Sequence, residues 1–207
     1  MAQFYDHAMR ATEAACLASW RSELLASASG KVLELGAGTG ANLPHYPLAA
    51  RRVTLVEPDA FMRARLEAAV LRAPQHERFD VQAGDAARLA FADESFDTVV
   101  VTLVLCSVPN QDAALREIAR VLAPKGQLLY LEHVAAPIGT PLLRWQRRIE
   151  PVWRHIAGGC RLTRSTLDAI ERAGLVPMYP RAEDMRKAVP WVRPTVRGRA
   201  IKPATNA

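Results

Sequence analysis

An apolar run that ends in glycines at alternate positions constrains this chain more than any other stretch of it. Val32, Leu33, Glu34 and Leu35 lead straight into Gly36, Gly38 and Gly40. A parallel strand covered on both faces reads as a continuous apolar run, so the carboxylate of Glu34 is a costly choice that requires a partner. Glycine reaches backbone conformations closed to other residues and lets a ligand lie against bare main chain. Strand, glycine turn and helix together are how an open α/β sheet holds an adenine nucleotide at the carboxyl ends of its strands. Gly36, Gly38 and Ala41 also satisfy the dinucleotide pattern G-x-G-x-x-G/A, so the loop alone does not choose between ligands.

The segments on either side fall into a regular alternation. Residues 3–28 read as a helix with Met9, Cys16, Leu17, Trp20, Leu24 and Leu25 on one stripe. Its start, Phe4 to His7, has the polar aromatics of a lid, and padding against the sheet is the other reading. After the glycine loop a short helix is expected over residues 42–46, then a strand over 52–56 that closes on Glu57, Pro58 and Asp59. Glu57 follows the first glycine by about 20 residues, the offset at which an acid meets ribose hydroxyls in nucleotide-binding sheets. Residues 60–72 form a helix with Phe61, Met62, Leu66, Ala69 and Val70 inward. A strand over 79–82 leads to Gly84, Asp85 and Ala86, and an almost wholly apolar strand over 96–102 leads to a loop with Cys106 and Ser107. A helix over 112–122, a turn at Pro124, Lys125 and Gly126, and a strand over 127–134 with Glu132 and His133 at its end complete the pattern.

This alternation predicts an α/β fold, a doubly wound and mostly parallel Rossmann-like sheet with helices on both faces. Gly36, Gly38, Glu57, Asp85, Cys106 and His133 all fall at carboxyl ends of strands, where such sheets place their sites. Residues 141–156 then form a small helical insertion, with Leu142, Trp145, Ile149, Val152, Trp153 and Ile156 on one face and four arginines elsewhere. Pro151 is expected to kink or divide it. Such a helix covers a pocket, packs on the sheet or lies on a membrane surface. Thr163 is expected to cap a helix over 164–172, and residues 175–178 and 196–201 read as late strands, placed at an edge by their prolines. We expect one domain over 1–207: a helical lid (1–29), a cofactor-binding core (30–134), the insertion (135–160) and a C-terminal helix with edge strands (161–207).

Composition narrows the functional classes. No apolar run approaches the roughly 20 residues that span a bilayer, and the first ten residues lack the charged-then-apolar pattern of a signal peptide. Cys16, Cys106 and Cys160 are too few and too scattered for a disulfide framework or a zinc-finger spacing, so a cytoplasmic location is the expectation and no metal is called for. The net charge of +6 is carried by arginine at all but four basic positions. A solvated basic face is the plain reading of it, contact with anionic lipid or an acidic substrate the sharper one. No RNA-binding or helix-turn-helix motif accompanies the charge, so nucleic acid is not an expected partner.

The motifs taken together are similar to those of a known family. Glu34 to Gly40, Glu57, Gly84 to Ala86, Phe96-Asp97 and Leu122 to Gly126 resemble a class I S-adenosylmethionine-dependent methyltransferase. Gly40 to Pro47, Thr102 to Val108, Leu131 to Val134, Gly159 to Arg164 and Trp191 to Pro194 resemble a narrower branch. That branch includes animal alkyl-thiol methyltransferases, which are membrane-associated, and bacterial relatives labelled phosphatidylethanolamine or quinone methyltransferases. The animal proteins carry an N-terminal apolar anchor that this sequence does not show. The resemblance implies S-adenosyl-L-methionine as cofactor, with S-adenosyl-L-homocysteine as its product. It places Gly36, Ala37, Gly38 and Gly40 along the aminoacyl and ribose parts and Glu34 at the methionine end. Glu57, with Pro58 beside it, falls at the ribose, Asp85 and Ala86 at the adenine, and Thr102 and Cys106 beside the methionine moiety.

Methyl transfer to a small, fairly apolar acceptor is therefore the expected activity, with a thiol favoured. N-methylation of phosphatidylethanolamine and C- or O-methylation of a quinone-like molecule are the alternatives. A nicotinamide oxidoreductase and a non-catalytic cofactor-binding or membrane-peripheral protein are rivals from other classes. A thiol must ionise before it attacks, and at a pKa of about 8.5 only a few per cent is thiolate at neutral pH. His133 is the candidate base for that step and Tyr5 the candidate that closes the pocket.

Overall fold

The computed structural model describes residues 9–204. The predicted start of the N-terminal helix, with Tyr5, lies outside these residues. From Met9 to Leu25 the backbone is helical, through a π-helical stretch at Glu13–Leu17 and then α1 at Ala18–Leu25. There follow β1 (Gly30–Leu35), β2 (Ala50–Val56), α2 (Ala60–Val70), β3 (Phe79–Gln82), β4 (Phe96–Thr102), α3 (Gln111–Val121) and β5 (Leu122–His133). After these come α4 (Pro141–Ile156), α5 (Thr166–Arg172), β6 (Val176–Asp184) and β7 (Pro194–Ile201). The seven strands form one sheet in the order β3-β2-β1-β4-β5-β7-β6, parallel except where β7 runs against both of its neighbours.

Apolar residues on successive strand positions divide between two cores, one on each face. Val32, Val53, Leu55, Val100 and Leu129 pack with Leu17, Leu25 and Leu66 from the N-terminal helix and α2. Leu33, Val99, Val101 and Leu128 pack with Leu115 and Ile118 of α3 and Ile170 of α5. Strand β4, buried at all positions but Asp97, lies at the centre, as its β-branched composition requires. Parallel strands with crossover helices on both faces bring all their carboxyl ends to one rim, where the glycine loop and the β4 and β5 ends meet.

The structure corrects several expectations. Phe61 points outward at 81% exposure. Five residues at 100° each set it about 140° away from Leu66, which faces the sheet. Residues 42–46 form only a 3₁₀ turn at Leu43–His45. The turn at Pro124 to Gly126 is a bulge inside β5, with Lys125 at φ +64° and the register to β4 broken there. Strand β7 is interior, flanked by β5 and β6, and the edge is β6, which holds Pro177 and Pro180.

Helix α4 differs most. It runs unbroken through Pro151. Its buried side chains are Leu143 and Gln146, while Trp145, Val152 and Ile156 of the predicted apolar face stand in solvent. The reason is Gln146, whose amide accepts from Ala136 N at 2.7 Å and donates to Trp191 O at 2.9 Å, so it fixes which face meets the protein. Thr163 does not cap α5, because its hydroxyl and N–H both go to Glu150 Oε2 of α4, at 2.7 and 2.8 Å. Ser165 occupies the N-cap position instead. No helix among the described residues is long and apolar enough to cross a membrane.

Candidate active site at the carboxyl ends of the strands

The glycine turn is built as the sequence demands. Gly36 has φ +62°, and a Cβ there would stand 2.6 Å from Val104 Cγ2, so that position is closed by packing. Gly38 has φ +60° and, among the described residues, nothing within 4 Å of where a Cβ would be. The main chain at Gly38 is therefore bare toward open space, which suits a ligand laid against it. Gly40 is needed for a close approach to Leu43, and Ala37 is buried with its N–H on Val56 O at 3.2 Å. Glu57, also buried, accepts from Gly38 N at 2.8 Å through Oε2 and from Asp59 N at 3.0 Å through Oε1. Each oxygen keeps a lone pair for a further donor. Pro58 and Asp85 are exposed at the ends of β2 and β3, and Asp85 Oδ1 accepts from Ala87 N at 2.9 Å, while Ala86 packs toward the core. The structure thus brings Gly36, Ala37, Gly38, Gly40 and Glu57 into one constellation, with Asp85 and Ala86 in the loop after neighbouring β3.

Glu34 lies deeper, inside a buried polar network. Asn42 Nδ2 donates to its Oε1 at 2.9 Å and the Tyr46 hydroxyl to its Oε2 at 2.6 Å. Arg21 of α1 donates to Asn42 Oδ1 at 2.8 Å and Thr102 Oγ1 at 2.9 Å, and pairs with Glu13 at 3.0 Å. Thr102, expected beside the methionine moiety, is thus a member of the network. Arg21, Asn42 and Tyr46 were not foreseen, and the only sign of them was the unexplained acid in an apolar strand. Burial pushes the Glu34 carboxyl up to about 7, with the bonds from Tyr46 and Asn42 working the other way. The folded chain therefore holds this proton more tightly than the unfolded chain. The stability it contributes is complete below about pH 4.5 and is lost as pH rises through about 7. We expect the melting temperature of the natural protein, relative to Glu34→Gln, to fall from pH 4.5 to pH 8. A difference independent of pH would contradict this.

The third assembly surrounds Cys106. Buried Glu132 on β5 accepts from Val104 N at 2.9 Å and Leu105 N at 3.0 Å through Oε1, and from Cys106 N at 3.1 Å through Oε2. Burial pushes its carboxyl up, against the pull of these three donors. The segment after α4 is stitched to the same loop. Gly159, at φ +86°, approaches so closely that a Cβ would meet Ser107 O at 2.8 Å. Arg161 N donates to Cys106 O at 2.8 Å, and Arg164 donates to Leu105 O and to Val108 O. These contacts bring Cys160 to Cys106 and His133, with Cys160 Sγ 3.6 Å from His133 Nδ1. Nε2 of His133, 2% exposed as a residue, has no hydrogen-bond partner among the described residues. A hydrogen bond between the two free thiols pushes the Cys106 thiol up and draws the Cys160 thiol down. The sequence assigns Cys160 no role in the site, since nothing local to it signals a partner 27 positions away.

Comparison with known proteins now has a geometry to attach to. Residues 33–130 match the methyltransferase-domain family. The solved structure of the [4+2]-cyclase SpnF superposes with a TM-score of 0.74 at 20% identity, covering 91% of this chain and 80% of that one, a likeness of fold alone. The fold and the family match define a class I S-adenosylmethionine-dependent methyltransferase. Thiol S-methyltransferase TMT1B from Homo sapiens is 43% identical over 184 residues, 86% of this chain and 74% of that protein. Thiol S-methyltransferase TMT1A from Homo sapiens is 42% identical over 183 residues, 86% and 73% of the two chains. The chain belongs to this thiol S-methyltransferase family.

Proposed function

We propose that this enzyme methylates the sulfur of a small, fairly apolar thiol. The similarity to the two human thiol S-methyltransferases carries this reading, because it extends over 86% of the chain, well beyond the matched methyltransferase domain. When bound, S-adenosylmethionine supplies an electrophilic methyl group on a sulfonium. The residues at the rim suit its parts. Bare main chain at Gly38, with Gly36, Ala37 and Gly40 setting the turn, backs the aminoacyl and ribose portion. Glu57, next to Pro58, accepts from ribose hydroxyls with its remaining lone pairs, and the exposed Asp85 with Ala86 meets the adenine. Glu34 and Thr102 hold the turn at the methionine end through Asn42 and Arg21, and Cys106 borders the methyl group.

The chain then has two tasks toward the acceptor. It positions the sulfur, which can supply roughly 7–11 kcal/mol of the barrier, and it favours the thiolate over the thiol. His133 is the catalytic residue we assign to the second task. It stands with Cys106 and Cys160 at the end of β5, one strand from the β4 end. Incubation with labelled S-adenosylmethionine and a panel of alkyl thiols, phosphatidylethanolamine and quinols tests the assignment. We expect methyl thioether from the thiols and no product from the others. Turnover of the amine lipid or a quinol without thiol turnover would contradict it.

Helix α4 also supports peripheral membrane contact. Trp145, Ile149, Val152 and Ile156 recur at helical spacing, and Trp145, Val152 and Ile156 are 60–69% exposed. Exposed Arg144, Arg147, Arg148 and Arg154 flank this stripe, the pattern of a helix lying on an anionic surface. An apolar acceptor partitioned into lipid would then meet the enzyme on the face next to Cys160. The three cysteines are unpaired, which suits a reducing compartment and hence the cytoplasmic side of such a membrane. We expect co-sedimentation with phosphatidylglycerol vesicles that falls at least fivefold in a Trp145→Ser, Ile156→Ser double variant. Equal sedimentation of the two would contradict a membrane role for α4.

A further inference from the structure

We infer that Cys106, His133 and Cys160 bind one zinc-class divalent ion, whose fourth position takes the acceptor sulfur as thiolate. This rests on the thiol reading above and specifies how His133 serves it, as a ligand rather than as a proton acceptor. One ligand atom from each of the three residues lies within 4.8 Å of the other two. Zinc–sulfur and zinc–nitrogen bonds of about 2.3 and 2.0 Å at a tetrahedral angle set their donors about 3.5 Å apart. The distance from Cys160 Sγ to His133 Nδ1 is 3.6 Å. Two sulfurs and an imidazole are a donor set that favours zinc over magnesium or calcium, and three protein ligands leave a position for substrate.

The surroundings fix these donors in place before any ion arrives. Glu132 pins the backbone N–H of Cys106 itself, while Gly159 and the Arg161 N–H press the Cys160 segment onto the Ser107 and Cys106 carbonyls. Without an ion, His133 and Cys106 are buried, Cys160 is half-buried, and the three side chains face one another. An ion of charge +2 balances two thiolates and a neutral imidazole. When a thiol takes the fourth position its S–H bond breaks, the electron pair stays on sulfur and the proton passes to water. At neutral pH only about 3% of a thiol with pKa about 8.5 is ionised, so full ionisation raises the reactive fraction by up to about 30-fold.

The test uses the full chain, stripped by chelator dialysis under a phosphine reductant and titrated with Co²⁺ alone. The expected result is one equivalent bound with thiolate-to-cobalt charge-transfer absorption, weakened in Cys106→Ser, abolished in the Cys106→Ser, Cys160→Ser double variant and displaced by Zn²⁺. Added alkyl thiol shifts the cobalt bands. Far-ultraviolet circular dichroism and the melting temperature, measured alongside, verify that each variant is folded. Absence of these bands in the natural protein, including the case where the two cysteines have formed a disulfide, would overturn the inference. So would bands unchanged in the double variant. Thiol methylation by the stripped enzyme is expected to fall roughly tenfold and to return with Zn²⁺. Full activity without metal would overturn the site and leave thiol methylation standing. Turnover of an amine alone would instead overturn the thiol reading, with the cobalt spectrum still reporting on the site.

Discussion

Buried carboxylates at strand ends hold this site together. Loops at the rim of a parallel sheet have main-chain N–H groups that neither helix nor strand satisfies, and a buried N–H without a partner is costly. In this chain the partner is repeatedly an acid on the adjacent strand or just beyond it. Glu57, after β2, takes the Gly38 N–H of the loop after β1. Glu132, on β5, takes three N–H groups of the loop after β4. Glu34, on β1 itself, grips Asn42 and Tyr46 beyond the glycine turn and, through Asn42, joins Thr102 and Arg21.

These ties have a functional consequence. A loop held by its neighbour's carboxylate keeps its shape before ligand arrives, so ordering it adds little to the cost of binding. All three carboxylates are buried, where the charge of their ionised form is least screened, and that charge suits the sulfonium proposed beside them. The cluster of Cys106, His133 and Cys160 depends on the arrangement too, since Cys106 is set by Glu132 and Cys160 by contacts to the same loop.

Much of this was legible in the sequence, for reasons that differ by element. The central strands announce themselves because a strand covered on both faces leaves no room for polar alternation, and β4 falls where its run of β-branched residues ends. The residues at strand ends were legible because topology alone brings carboxyl ends together. What could not be read is whatever depends on packing between distant segments. The apolar stripe of α4 left a pocket cover, a sheet contact and a membrane face all open, and Gln146, which reaches three backbone groups from the other side, decides which face meets the protein. Arg21 has no marker in the sequence, and only the fold shows it bonded to Asn42 and Thr102. Cys160 had no local signature, because its role follows from Gly159 settling against Ser107 O.

The measurement that bears most directly on this account is calorimetric titration of S-adenosylhomocysteine into the natural protein and into Glu57→Ala. If Glu57 both sets the glycine turn and grips the ribose, one equivalent binds the natural protein. The variant then loses on the order of tenfold or more in affinity, as removal of charged hydrogen bonds of about 1.5–3 kcal/mol requires. Equal affinity in the two proteins would show that the nucleoside is held elsewhere and would contradict the account.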